Sequence, residues 1–202
     1  MAVFKTDLRD IYFNLFELLK VQNFTDKFTE ADLKDIIEQF NIFVDNEIYP
    51  TRQKSDEDGV KLINGQVKVS ECLKKANKLF YENGWFGLGY PEEMGGIPVP
   101  ETVTLACNSL TNGANVGYSM YPGLSKACMN VILKAGTENQ KKMFTPKMFT
   151  GEWGGTMCLT ESGAGSDVGA LKTTATPTAD GKYKIKGVKI FISSGESDLY
   201  SN

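Results

Sequence analysis

The sequence predicts an α+β protein, with a helical bundle in residues 1–150 and the beginning of an antiparallel β domain in residues 151–202. Three observations support this prediction. Upstream of Gly151, apolar residues recur at the three- and four-residue spacing of amphipathic helices. Downstream of it, the chain is rich in Thr, Val, Ile, Tyr and Phe, which favour strands. Ala179-Asp-Gly181 divides this second part with a hairpin-type turn.

The bulk composition is that of an ordinary globular protein. Of the 202 residues, 41% are apolar and 23% are charged, and the formal net charge is -3. This charge provides no basic surface for nucleic acid, and no apolar run is long enough for insertion into a membrane. The first ten residues lack a signal-peptide core, so the cytoplasm is the expected compartment.

Histidine is absent, and the four cysteines show no C-x-x-C spacing. The absence of histidine excludes Ser-His-Asp and Cys-His catalytic arrangements within this chain and argues against a metal site of the zinc type. In a reducing compartment the cysteines should remain reduced and pack as small apolar residues. Any acid–base chemistry would therefore depend on carboxylates, lysines, tyrosines or a cofactor.

Six segments of the first part have helical periodicity or capping signals. Thr29 is a candidate helix N-cap, and Gly84 is a candidate residue for ending a helix. The sequence that begins at Thr137 resembles a capping box. Residues 51–69 are polar and predict a solvated loop with a turn at Asn64-Gly65. The predicted helices are residues 7–19, 29–47, 70–83, 100–112, 124–135 and a short one that begins at Thr137 and ends at Pro146.

A glycine-rich turn, residues 161–167, follows a short apolar strand predicted for residues 156–159. Glycine lets a ligand approach the main chain closely. Successive N–H groups, with the hydroxyls of Thr160, Ser162 and Ser166, could bind an anion. Considered without other evidence, a glycine-rich turn of this kind is more often an ordinary surface loop than a binding site. The predicted β-meander after it, whose strand at residues 182–190 alternates polar and apolar, ends in a second unusual string at 187–195, and this favours a binding site.

These two strings resemble the acyl-CoA dehydrogenase family. Its flavoproteins carry [YM]-C-[VL]-T-E-P-x-A-G-S-D and, further along, G-x-K-x-[WF]-I-[TS]; the matches here are residues 157–167 and 187–193. Ser162 departs from the pattern, which usually has proline. Residues 84–96 also resemble the family. Residues 120–124, 151–153 and 191–196 are similar to the subgroup that includes 3-methylmercaptopropionyl-CoA dehydrogenase.

The resemblance implies that the chain binds FAD. Main-chain groups along the first string and Thr160 would hydrogen-bond the flavin, Phe191 would pack against it, and Ser193 would reach its N5 side. Ser166 would serve the FAD phosphate region and the CoA portion of the substrate. The implied cofactor-binding residues are Met157, Cys158, Leu159, Thr160, Gly165, Ser166, Phe191, Ile192 and Ser193. The implied substrate contacts are Ser166, Tyr118, Met120 and Tyr121, with simple packing as the alternative role of the last three.

The implied reaction is 2,3-dehydrogenation of an acyl-CoA to an enoyl-CoA, with a glutamate as base and an electron-transfer flavoprotein as electron acceptor. A homo-oligomer, dimer or tetramer, is implied as well. The family's base lies on a C-terminal helical domain, which we expect to be absent here, so no residue of this chain is assigned as catalytic. We therefore expect a truncated β-barrel after the helical bundle, and little activity from this chain alone. A non-catalytic flavin-, CoA- or partner-binding module and an oxidase on the same fold are the alternatives.

Overall fold

The computed structural model describes residues 6–201, and residues 1–5 and 202, the outer ends of the two predicted domains, lie outside the described part. Helices predominate up to residue 149, interrupted by one short hairpin and by the loop of residues 83–100, and a second hairpin follows, so the predicted α+β class is confirmed. Within residues 6–201 both sheets have two antiparallel strands and neither closes into a barrel. The elements are α1 (Leu8–Tyr12), α2 (Glu30–Phe43), α3 (Thr51–Asp58), β1 (Lys61–Ile63), β2 (Gln66–Lys68), α4 (Glu71–Glu82), α5 (Glu101–Ala135), α6 (Glu138–Phe149), β3 (Thr174–Pro177) and β4 (Tyr183–Lys186).

The first two helices each continue through a π-helical segment, Phe13–Leu18 after α1 and Val44–Ile48 after α2. The predicted helices 7–19 and 29–47 are thus helical over almost their whole lengths. Thr29 forms the predicted N-cap: its hydroxyl accepts from the Asp32 N–H at 3.2 Å, and the Asp32 carboxylate accepts from the Thr29 N–H at 2.8 Å. This capping box pairs two donors that the helix itself leaves free.

The prediction of a loop over residues 51–69 is wrong for the first half of this segment, which forms helix α3. Only Thr51 of this helix is buried, so apolar periodicity gives no sign of it. Side-chain pairs one turn apart support it instead, Lys54 with Asp58 at 2.5 Å and Gln53 with Glu57 at 2.7 Å. The turn predicted at Asn64-Gly65 is confirmed, and it joins β1 to β2.

Helix α5 unites the two predicted helices 100–112 and 124–135, and the stretch between them, into one bent helix. The bend lies at Asn115, whose φ of -155° and ψ of 92° are not helical. The Asn115 side-chain oxygen accepts from the Tyr118 N–H at 3.0 Å, and its amide nitrogen donates to the Thr51 hydroxyl at 2.9 Å. Asn115 therefore caps the second half of α5 and ties the bend to α3.

Helix α6 continues past Pro146, which was wrongly predicted to end it. Met148 is 2% exposed, and the Phe149 ring packs 6.0 Å from that of Phe86 and 5.8 Å from that of Tyr90. A proline this close to a helix end removes a single hydrogen bond, and the packing of the last turn outweighs that loss. The capping box at Thr137 is confirmed.

The core lies between α2, α4, α5 and the loop of residues 85–96. Aromatic side chains dominate it: the Trp85 ring meets that of Phe40 at 5.0 Å, and Phe80 meets Tyr118 at 6.3 Å. Such offset and edge-on pairs add to the free energy gained from burial. The cysteines, predicted to be reduced and packed, are all free thiols, and Cys107 is buried, but the packing prediction is wrong for Cys158, which is exposed.

Two expectations for the β part are wrong. Residues 156–159 form no regular strand, and β4, predicted within a half-buried strand at 182–190, is exposed on both faces, as is β3. Nothing in residues 6–201 packs over these strands, so the alternation in sequence has no core to face. The hairpin turn is confirmed, with Gly181 at a φ of 76° between β3 and β4.

Candidate cofactor site

The two sequence strings lie side by side. The Ile190 N–H donates to the Thr160 carbonyl at 2.9 Å, and the Lys189 ammonium donates to the Leu159 carbonyl at 2.8 Å. The Thr156 hydroxyl donates to the Ser193 carbonyl. These contacts bring residues 157–160 next to residues 189–193, and so unite the two halves of the predicted cofactor site.

Glu161 holds this arrangement together. Its carboxylate accepts from the Thr173 hydroxyl, from the N–H groups of Lys172 at 2.8 Å and Thr173 at 2.9 Å, and from the Lys189 ammonium at 2.9 Å. These donors, the Thr173 hydroxyl foremost, lower the pKa of Glu161 to about 2, because they stabilise the charged form. A carboxylate engaged in this way is not available to remove a substrate proton.

Sequence patterns did not assign Glu161, Thr173 or Lys189 as positioning residues. Glu161 and Lys189 each stand inside a string that the sequence singles out, which was the available signal. Thr173 carries no such signal, because only the folded chain places it beside Glu161. Gly187 belongs to the same cluster, since a Cβ there would collide with the Thr173 side chain.

The predicted cofactor residues present apolar side chains and unused main-chain donors. Met157 is 44%, Leu159 41% and Phe191 88% exposed. Phe191 has a φ of 55°, which is unusual for a bulky residue and is often found at functional sites. Within residues 6–201, the N–H groups of residues 157–160 find no acceptor. Cys158 and Ser193 are exposed, and Ile192 is half-buried.

The loop that follows is open. Gly165 and Ser166 are exposed, and a Cβ on Gly163 or Gly165 would meet no atom within 4 Å. The Asp167 carboxylate accepts from the Gly169 N–H at 3.2 Å and caps the 3-10 turn Val168–Ala170. The hydroxyls of Ser162 and Ser166 form no hydrogen bond in the described part of the chain, so they remain available to a ligand.

These features fit the flavin that the sequence predicts. A flavin ring offers apolar faces and a polar edge rich in hydrogen-bond acceptors. The exposed Met157, Leu159 and Phe191 side chains suit the faces, and the N–H groups of residues 157–160, unpaired within residues 6–201, suit the edge. Ligand sites commonly combine an apolar surface with a few placed polar groups in this manner.

Two glycines just before the first string pack closely against other parts of the chain, and Gly155 anchors this segment to the helical part. The Gly155 N–H donates to the Ser125 hydroxyl at 3.1 Å. A Cβ on Gly155 would lie 2.6 Å from the Cβ of Cys128 in α5 and 2.8 Å from the Cε of Met148 in α6, and one on Gly154 would lie 2.5 Å from the Tyr200 ring. Only glycine allows so close an approach.

The three predicted substrate residues of α5 lie in different places. Tyr118 is fully buried, with its hydroxyl 3.4 Å from the Asn77 side-chain oxygen. Met120 lines a cavity of about 640 Å³, whereas Tyr121 faces a different cavity beside Arg52. The structure does not bring the three together, and their roles as substrate contacts stay predictions.

Two family models match this chain. The family model of the acyl-CoA dehydrogenase N-terminal domain matches residues 30–152, and that of the middle domain matches residues 156–201. The chain belongs to the acyl-CoA dehydrogenase family. The 3-methylmercaptopropionyl-CoA dehydrogenase of Ruegeria pomeroyi is 37% identical over 178 residues, which are 87% of this chain and 30% of that protein.

Two further acyl-CoA dehydrogenases extend the comparison. A broad-specificity linear acyl-CoA dehydrogenase of Mycobacterium tuberculosis is 35% identical over 100% of this chain and 34% of that protein. The crystal structure of an acyl-CoA dehydrogenase complexed with FAD from Bacillus anthracis matches with a TM-score of 0.67 and 28% identity, over 86% of this chain and 28% of that chain. This chain thus spans about a third of the length of such relatives.

Among residues 6–201, no three His, Cys, Asp or Glu side chains are grouped so that they could hold a metal ion. The same residues contain no helix that is both long and apolar enough to cross a membrane.

Proposed function

We propose that this chain provides the helical domain and part of the flavin site of an FAD-dependent acyl-CoA dehydrogenase, which converts an acyl-CoA thioester to a 2,3-enoyl-CoA. The observation that carries the proposal is the pairing of residues 157–160 with 189–193, held by Glu161 and Lys189. Membership of the family supports the class of reaction. When bound, FAD supplies the hydride acceptor.

The chain's own residues bind and orient this cofactor. The free N–H groups of residues 157–160 and the Thr160 hydroxyl hold the polar edge of the flavin. Such donors stabilise negative charge on the ring and so favour its reduction. Phe191 packs on the ring, Ser193 reaches its N5 side, and Ser166 serves the FAD phosphate region and the CoA portion of the substrate.

The same proposal includes acyl-CoA as substrate, an electron-transfer flavoprotein as electron acceptor, homo-oligomer formation and a cytoplasmic location. Glu161 is not assigned as the proton-removing base, because its four donors keep it ionised and occupied. We expect the 202-residue chain alone to show no substrate-dependent bleaching of flavin, since none of its carboxylates is assigned as that base. Bleaching by an acyl-CoA would contradict this expectation.

The cofactor site is tested by titrating the 202-residue chain with FAD and following flavin fluorescence. Binding should saturate, and Phe191→Ala should weaken it about tenfold, since the ring loses an aromatic contact. Phe24→Ala is a matched control, because Phe24 is also highly exposed, at 77%, but lies in the helical part. Absence of saturable binding, or equal weakening by both variants, would contradict the proposal.

A further inference from the structure

The second string of the cofactor site contains an unfavourable backbone conformation. Among residues 6–201, four residues other than glycine have a positive φ, and two of them lie in this string: Phe191 at 55° and Ser194 at 56°. Ile192 and Ser193, which lie between them, are both implied flavin contacts. Left-handed conformations are costly for residues that carry a side chain, and they persist only where the surrounding structure holds them in place. The string therefore needs firm attachments on both sides.

On the amino-terminal side, the attachment is to the first string. The Ile190 N–H donates to the Thr160 carbonyl at 2.9 Å, and the Lys189 ammonium donates to the Glu161 carboxylate at 2.9 Å. These bonds fix the chain immediately before Phe191. They do not account for Ser194, which lies on the far side of the two flavin contacts.

On the carboxyl-terminal side, the attachment is made by Asp198. Its carboxylate accepts from the Val69 N–H at 2.9 Å and pairs with the Lys74 ammonium at 2.7 Å, and the Lys68 ammonium lies 3.7 Å away. The Asp198 side chain is 18% exposed, so water and salt screen these contacts less than at an open surface. Partial burial acts to raise the pKa of Asp198, but Lys74 and the Val69 N–H lower it overall, so the carboxylate remains charged.

Contacts on either side of Asp198 fix the same segment. The Glu196 carboxylate accepts from the Val67 N–H of β2 at 3.4 Å. The Ser201 N–H donates to the Glu152 carbonyl at 2.8 Å, shortly before the first string begins. Residues 196–201 thus connect the second string to β2 and α4, and then return to the stretch that leads into the first string.

We propose that Asp198 is a positioning residue for the flavin. Its bonds to Val69 and Lys74 fix the segment 194–198, and the fixed segment holds the flavin contacts of the second string in their strained conformation. The β1–β2 hairpin and the start of α4 then serve as the support against which this string is held. The inference rests on the proposed function, because it assigns a role at the proposed flavin site.

Hydrogen exchange of the 202-residue chain without cofactor tests the attachment. The Ile190 N–H is bonded to Thr160, so its exchange reports on the string and not on the substituted residue itself. Asp198→Ala should speed this exchange about tenfold, because the string opens more often. Asp198→Asn keeps an oxygen acceptor for the Val69 N–H and should have a smaller effect. Ile37→Val removes a methyl group from a fully buried side chain of α2 and is the control for a general loss of stability.

Titration with FAD, followed by flavin fluorescence, tests the consequence for the cofactor. Asp198→Ala should weaken binding about tenfold, since affinity falls with the fraction of molecules in the competent conformation. Combined with Phe191→Ala, it should weaken binding by less than the product of the two single effects, because both act on the same contact. Lys74→Met should weaken binding as well, and it replaces Asp198→Ala should that variant fail to fold. Asp56→Ala removes an exposed carboxylate of α3 and should change nothing.

The positioning role and the proposed function fail separately. Saturable FAD binding that is equally tight in Asp198→Ala and in the unchanged chain, or an unchanged exchange rate at Ile190, overturns the positioning role and leaves the proposed function intact. Equal effects of Ile37→Val and Asp198→Ala also overturn it, because stability alone would then explain both. Absence of saturable FAD binding by the unchanged chain contradicts the proposed function itself.

Discussion

Replacing Gly155 by alanine tests the contact that anchors the cofactor strings to the helices. The new Cβ would lie 2.6 Å from the Cβ of Cys128 and 2.8 Å from the Cε of Met148. The Met148 methyl can rotate away, but the Cys128 Cβ is fixed to the backbone of α5. Such overpacking costs about 1–3 kcal/mol, and displacement from Ser125 loses a hydrogen bond of about 1 kcal/mol. We therefore expect a loss of about 2–4 kcal/mol in the free energy of unfolding.

The assay is a thermal midpoint measured by circular dichroism, with Gly163→Ala as the control. Gly163 is exposed and a Cβ there meets nothing within 4 Å, so this variant undergoes the same change in unfolded-chain entropy without the collision. For a chain of this size, 1 kcal/mol corresponds to roughly 2–4 °C. Gly155→Ala should thus melt roughly 5–15 °C below Gly163→Ala. Midpoints within about 1 °C of each other would refute the close approach.

Three further predictions concern Glu161, Tyr118 and Asp198. The folded pKa of Glu161 is about 2 and its ordinary value is 4.5, so its contribution to stability is fully present above pH 4.5 and is lost as the pH falls toward 2. The urea midpoint of the unchanged protein should therefore fall across this pH range, and this fall should be smaller in Glu161→Gln. Glu93→Gln, which replaces an exposed carboxylate, should keep the full pH dependence. Tyr118→Phe should lower the free energy of unfolding in urea by about 1 kcal/mol, because the hydrogen bond to Asn77 is lost. Tyr183→Phe changes an exposed ring and should leave that free energy unchanged. Unchanged stability of Tyr118→Phe with weaker acyl-CoA binding would instead support a substrate role for Tyr118. The Asp198 carboxylate accepts from the Val69 N–H at 2.9 Å and pairs with Lys74 at 2.7 Å, which anchors the end of the chain to the helical part. Asp198→Asn should therefore speed limited proteolysis near residues 194–201. Equally fast cleavage of the control Asp56→Asn, at an exposed carboxylate, would contradict this anchoring.

Local signals in the sequence predicted much of the helical part. The N-cap at Thr29, the capping box at Thr137 and the stop at Gly84 depend on neighbouring residues only, so the sequence is enough to place them. Helix α3 escaped prediction because it is polar on nearly every face and buries only Thr51. Hydrogen bonds from Asn115 to Thr51 and Ser55 also support α3, but they join residues that are more than fifty positions apart in the sequence.

The bend of α5 shows the same limit. The sequence predicted separate helices on either side of residues 113–123, yet this stretch is helical and the departure from helical geometry falls at Asn115. An asparagine can cap a helix or end one, and its partners in three dimensions decide which. The polar–apolar alternation of β4 was misleading for the converse reason, because alternation predicts burial only when another layer covers one face.

By itself, the sequence determined the family, the two strings of the cofactor site and the α+β class. Long and specific residue patterns can be recognised without the three-dimensional structure, because they depend only on residue type and spacing. Tertiary structure decided how those strings are held: Glu161 gathers donors from Lys172, Thr173 and Lys189, and Gly155 meets α5 and α6 at closest approach. These residues are far apart along the chain, and only folding brings their hydrogen-bonding groups and charges within reach of one another.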